Sequence, residues 1–234
     1  MAISVDTVYQ RVLAIINKEQ RGFISPVEFN LFANQSQMDI FEQYFYDLNQ
    51  FGRLPGNETR HSDMVDIIEE KIAIFAKHRQ TVTMSSGGIG TLPTNFYRLG
   101  NISYYTGTDY VEAEHIGQHE LNPIISSPLT APTTERPIYV KTSGTAIQVY
   151  PTTISSNITC DYIATPSKVI WNYTTVANAP QYTATGSVDF ELHRSDEVEL
   201  VLKILTLAGI ETRSMDIIQI AAGADQTGIQ QEKQ

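Results

Sequence analysis

The period at which apolar residues return divides the chain into three zones. Residues 1–80 repeat at three and four. Val8, Val12, Ile15 and Ile16 share one face of a first helix, with Val5 and Leu13 beside them. Arg21 and Gly22 stop it. The second helix has the clearest start signal. Ser25 stands at the N-cap, Pro26 at the first helical position and Glu28 at the third, so Ser25 can accept an orphan N–H while Glu28 reaches back to the cap. Phe29, Phe32, Ile40, Phe41, Tyr44, Phe45 and Leu48 follow as an aromatic stripe, a pattern used for a core or a subunit interface. Leu54-Pro55-Gly56-Asn57 reads as a loop. Ser62 and Asp63 open a third helix that runs through Met64, Ile67, Ile68, Ile72 and Phe75 and ends near Gln80.

Residues 81–189 change character. They hold 11 charged residues in 109, against 19 in the first 80, and their polarity comes from Thr and Ser, which suit strands and turns. Thr81 to Met84 alternate as a strand does, and Ser85 to Gly90 form a glycine-rich loop. Further strands are expected at 96–105, 138–140, 146–150, 158–163 and 168–173, with Thr142 to Thr145 as a hairpin turn. Prolines at 123, 128, 132, 137, 151, 166 and 180 exclude long helices. Residues 190–234 return to helix. Ser195 is the expected N-cap, Val198, Leu202, Leu205 and Ala208 run along one side, and Gly209 ends the helix. Ser214 caps a short last helix over 215–222, followed by a polar tail. The order helix, β, helix predicts an α+β fold: a helical bundle from 1–80 and 190–234, with an inserted antiparallel β domain over 81–189.

Composition narrows the function classes. Apolar residues make up 41% and charged residues 18%, which suits a folded chain. No stretch approaches the ~20 apolar residues of a membrane span. The opening MAISVDTVYQRV has no basic region followed by an apolar one, so no signal peptide is expected. The formal net charge is −10, spread as −3, −3 and −4 over the three zones. The densest basic run, Lys77-His78-Arg79, falls at the expected end of the third helix, where it complements the helix dipole. Nothing here forms a phosphate-gripping patch. The single cysteine, Cys160, has no intrachain partner and reads as a small buried side chain.

Candidate chemistry is sparse. His115 and His119 have the spacing of two zinc ligands on a helix, but Ile116 occupies the place of the metalloprotease glutamate, and Gly117 and Pro123 oppose a helix. Ser86 to Gly90 lack the Lys-Ser/Thr of a phosphate loop. Glu69-Glu70 and Asp196-Glu197 read as solvated faces and dipole partners. Trp171, Tyr173 and Tyr182 could line a sugar or base surface, although packing in a β layer is the commoner use. No catalytic residue, metal or cofactor is expected.

Several runs resemble a known family. VYQRVLAIINKEQRGFISPVEFNLFANQSQMDIFEQYFYDLNQF resembles the N-terminal region of bacteriophage head–tail connector proteins, in particular the ring proteins of crAss-like podoviruses. LPTNFYRLGNISY is similar to a run in tail tubular protein A-like adaptors that leads from a helix into the β insertion. PIYVKTSGTAIQVYP with ITCDYIATP resembles strands of that insertion, and VDFELHRSDEVELVLKILTLAGI the returning helix. The resemblance implies a non-enzymatic virion protein of the neck, assembled in the host cytoplasm. It implies a homo-oligomeric ring, twelvefold in the family, that docks on the portal protein and on neighbouring tail or ring proteins, while genomic DNA passes through its channel without specific binding. Phe29, Phe32, Phe41, Tyr44, Phe45 and Ile229 are the expected subunit and partner contacts. The alternatives are a tail-tube completion or head-decoration protein, or a carbohydrate-binding or hydrolase module built on the aromatics of the β zone.

Overall fold

Ser25 and Glu28 start the longest helix in the way their spacing requires. Ser25 Oγ accepts from the Glu28 N–H at 3.3 Å, and Glu28 Oε2 accepts from the Ser25 N–H at 2.8 Å and from its hydroxyl at 2.7 Å. The computed structural model describes residues 3–18, 24–51, 64–177 and 179–211. It is a mixed α+β protein with a large, mostly antiparallel sheet. The chain divides into two compact units, Met1–Ile74 with Pro166–Gln234, and Phe75–Thr165. The β region expected over 81–189 is therefore shifted: its last part, from 166, belongs with the helices.

In the first unit, α1 (Val5–Lys18), α2 (Pro26–Phe51), α3 (Met64–Ala73) and α5 (Glu197–Glu211) bury one stripe each. α1 buries Val5, Val8, Tyr9, Val12 and Ile16, while Ile15, expected on the same face, is exposed. Its first N–H, from Val5, is capped by Asp189 Oδ1 at 2.9 Å. α2 packs against α3 and α5, and α1 against α5. α5 faces inward through Leu200, Val201, Ile204, Leu205 and Ala208; Val198, expected on that side, is exposed. Gly209 lies inside α5 rather than ending it. The expected last helix, 215–222, and the tail lie outside the described residues.

The segment expected as a strand over 168–173 is extended but pairs in an unusual way. Its backbone is held by side-chain amides of α2. Asn34 donates to the Val169 carbonyl and accepts from its N–H, both at 2.9 Å. Asn30 does the same for Trp171, at 3.3 and 2.8 Å, and Gln37 donates to the Ser167 carbonyl at 2.8 Å. Positions 30, 34 and 37 share one helix face and meet residues 167, 169 and 171, which share one strand edge. The helix thus supplies what a neighbouring strand would. The other edge forms a single bridge, Ile170 to Val188. Regular pairing begins only at β9 (Tyr173–Val176) and β10 (Ala179–Tyr182), a two-stranded ribbon.

The second unit holds β1 (Ala76–Thr81), β2 (Thr83–Met84), β3 (Ile89–Thr91), β4 (Phe96–Tyr105), β5 (Tyr110–His115), α4 (Leu121–Ser126), β6 (Ile138–Lys141), β7 (Ala146–Tyr150) and β8 (Ile158–Ala164). The third helix, expected to reach Gln80, ends at Ala73, and Lys77-His78-Arg79 lie on β1. They complement no helix end. Pairing with β8 overrides the local helical pattern, at the cost of a bulge where Arg79 takes a φ of 50°. Strand order is β1-β8-β4-β5-β6-β7-β3-β2, antiparallel except for β5 and β6. The first and last strands of this order are one continuous run, 76–84. Val82 donates to the Ile158 carbonyl on one side, and Thr83 and Met84 pair with β3 on the other. The sheet therefore closes on itself, which joins its two outermost strands and removes its outer edges. Inward positions fill the interior: Val82, Ile102, Ala113, Tyr139, Ile147, Val149, Ile158, Cys160 and Tyr162. On the outer side, Ile116, Leu121 and Ile124 cover Ile138 and Val140.

Candidate functional site

The aromatic stripe of α2 is core, not contact surface. Phe29 and Phe41 are fully buried, and Tyr44 and Phe45 nearly so, within the first unit. They are corrected as interface residues, because side chains already packed inside one subunit present no area to another. Phe32 is half-buried, and Ile229 lies outside the described residues. Tyr44 serves a polar node that the sequence did not announce. Its hydroxyl donates to Asp196 Oδ2 at 2.5 Å, while Lys71 Nζ at 2.7 Å and Ser195 Oγ at 3.0 Å bond Oδ1. Asp196 is 3% exposed, so α2, α3 and the start of α5 meet on one buried carboxylate. His193 Nδ1 lies 2.8 Å from Ser195 Oγ, which brings serine, histidine and aspartate together. The order is wrong for nucleophilic catalysis, where the carboxylate orients the far ring nitrogen of the histidine. Here the carboxylate bonds the serine, and the group caps the turn over Arg194–Asp196.

The other candidates separate. His115 stands on β5 and His119 in an exposed turn 3.7 Å from Glu120, and no cluster of metal-ligating side chains occurs among the described residues. Trp171 is 2% exposed, its indole donating to Asp6 at 3.0 Å and its ring packed on Tyr9, so it packs as the commoner reading has it and the alternative aromatic platform has no exposed centre. Cys160 lies in the barrel interior, where burial, aided by Asp161, raises its thiol to about 11 and keeps it protonated. The glycine-rich loop is a tight turn: Gly88 has a φ of +78°, and a Cβ there would collide with the Val149 carbonyl. Arg79 lies 4.4 Å from the centre of the Tyr110 ring, an exposed cation–π contact.

One concavity collects polar groups. β4 and β5 pair from Tyr105–Tyr110 to Ile102–Ala113 and then part. β4 continues beside β8 through a bulge between Leu99 and Ile102. Gly100 sits in that bulge, where a Cβ would stand 3.0 Å from the Asp161 carbonyl oxygen. β5 turns to run beside β6 through Glu114–Ile138 and His115–Tyr139. The gap is an open groove of about 620 Å3 lined by Leu99, Asn101, Glu112, Glu114, His115 and Lys141 around Tyr139. Tyr139 is 6% exposed, and its ring packs 5.0 Å from that of His115. Its hydroxyl bonds no described residue, yet it is not sealed from solvent. Burial, and then the Glu112 carboxylate, push its phenol above the usual 10.0. The groove offers hydrogen bonds and charges of both signs. Of these residues the sequence singled out only His115, and for a different reason.

Charge is uneven between the units. The first carries 11 basic and 20 acidic residues, the second 5 and 6. No helix among the described residues is long and apolar enough to cross a membrane. No family model matches the sequence, and no curated protein matches it.

Proposed function

We propose that this chain is a structural virion protein of a tailed bacteriophage, a subunit of the head–tail connector ring that joins portal to tail. The order of its elements carries the reading. Three helices precede the barrel, the chain then returns, and α5 packs against α1 and α2. A helical bundle interrupted by an inserted β domain is the architecture that the resemblance of the sequence to connector proteins implies. The ring is a dodecamer docked on the portal, and its subunits do no chemistry.

The acidity of the helical unit supports the rest. With 20 acidic against 11 basic residues, it offers phosphates no net attraction, so DNA is a passenger in the channel and not a ligand. The carbohydrate-binding alternative loses its centre with the burial of Trp171. Quantitative mass spectrometry of purified virions tests the assignment. The expected result is this chain and the portal protein in equal copy number, both retained when DNA is ejected. Absence from virions, or a copy number in the hundreds as for a head-decoration protein, contradicts it.

A further inference from the structure

The groove in the barrel wall collects polar side chains that are engaged nowhere else. Asn101, Glu112, Glu114, His115 and Lys141 are exposed along it. None of these side chains hydrogen-bonds or ion-pairs with another described residue; the His115 ring only packs on that of Tyr139. The opposite charges are held apart by the strands that carry them. β5 and β6 run parallel with His115 beside Tyr139. Lys141 lies two residues beyond that level on β6 and Glu112 three residues before it on β5, so they stand toward opposite ends of the groove. A second observation points to a ligand. The Tyr139 side chain is more than nine-tenths buried and lines this space, and its hydroxyl bonds no described residue. Buried polar groups are nearly always hydrogen-bonded, so this hydroxyl is left to whatever occupies the groove.

We propose that this groove binds a neutral saccharide. The mixture of groups selects the class. An anion here meets Glu112 and Glu114, and a cation meets Lys141, so a net charge of either sign is opposed in part of the groove. A hydroxyl suits both ends: it donates to the carboxylates, and it accepts from the Lys141 ammonium, the Asn101 amide and the Tyr139 phenol. A short chain of sugar rings carries such hydroxyls along its whole length. The exposed ring of His115, 5.0 Å from that of Tyr139, offers a flat face to the C–H side of one ring. The volume of about 620 Å3 falls within the roughly 300–1,000 Å3 of small-molecule sites. Trp171, Tyr173 and Tyr182 take no part, since they belong to the other unit. The inference concerns the barrel alone and goes beyond the connector reading.

The test is an amide NMR titration of the full-length protein with the neutral trisaccharides maltotriose, cellotriose, mannotriose and triacetylchitotriose. Citrate and spermidine are the anionic and cationic controls. The expected result is saturable shifts at Asn101, His115 and Lys141 with at least one trisaccharide, and none there with either control. Asn101→Ala, at an exposed position, and Tyr139→Phe should each weaken binding about fivefold through one lost hydrogen bond. Should Tyr139→Phe fail to fold, Asn101→Ala carries the test. No shift at those amides with any of the trisaccharides at millimolar concentration overturns the proposal. So does saturable binding of citrate or spermidine there, since the groove would then select a charge. Wild-type affinity in both variants overturns it as well, because the sugar would then be held elsewhere.

Discussion

Asp196 ties three helices through one carboxylate, and its surroundings say what its loss costs. Tyr44, Lys71 and Ser195 all bond it in a nearly solvent-free position. Asp196→Asn keeps the shape but leaves the Lys71 ammonium without its counter-charge. Removing one partner of a buried pair costs about 3–5 kcal/mol, so the urea midpoint should fall by a large fraction of the total. A loss under about 1 kcal/mol would show that water reaches the node and screens it. The Ser25–Glu28 cap is a milder case. The Ser25 hydroxyl, and then its N–H, hold the Glu28 carboxyl below its ordinary value of 4.5. A depressed carboxylate stabilises the folded state fully above its unfolded pKa and loses that contribution as pH falls through the folded one. Glu28→Gln should therefore narrow the stability gap between wild type and variant below pH 4.5 and leave it widest at neutral pH. Ser25→Ala should cost about 1 kcal/mol at neutral pH in thermal unfolding.

At the scale of elements, the most informative is the extended segment held by Asn30, Asn34 and Gln37. Asn34→Leu removes both bonds to Val169 at a half-buried site, and the unpaired backbone should cost about 2 kcal/mol. Hydrogen exchange gives the sharper reading: the amides of Val169 and Trp171 should lose protection together in the variant, while Ala164 in the barrel keeps its own. Unchanged exchange at Val169 would mean that the side-chain amide is not its partner in solution. The sequence predicts an extended run here. It could not show the partner, because Asn and Gln on a helix read as a solvated face unless the segment they hold is known. The same limit explains α3. Ile74 and Phe75 continue a helical period, but the following residues pair with β8, which lies far away in the chain. Signals that are complete within a few residues were legible: the Ser25–Glu28 cap, the turn after Lys141, and the strands over 96–105 and 146–150. The groove was not, because it arises where β4 and β5 part, and no local pattern marks a parting.

For the molecule as a whole, closure of the barrel and the uneven charge make separate predictions. The sheet of Phe75–Thr165 closes through residues 76–84 and fills its own interior, so a fragment of that span should unfold cooperatively with dispersed amide resonances. A molten fragment would show that its core needs the helical unit. The acidic helical unit predicts weak contact with DNA: duplex DNA on filters at low salt should show no saturable retention at micromolar protein. Retention that falls steeply with salt would reveal a basic lining, with Arg79 and Arg98 of the barrel as its first suspects. Electron microscopy of the purified protein mixed with its portal decides whether it forms a ring there. The expected result is a dodecameric ring of this chain, coaxial with the portal and stacked on its tail-facing end. A population of monomers beside bare portals, or binding to the side of the portal without closure into a ring, would contradict it.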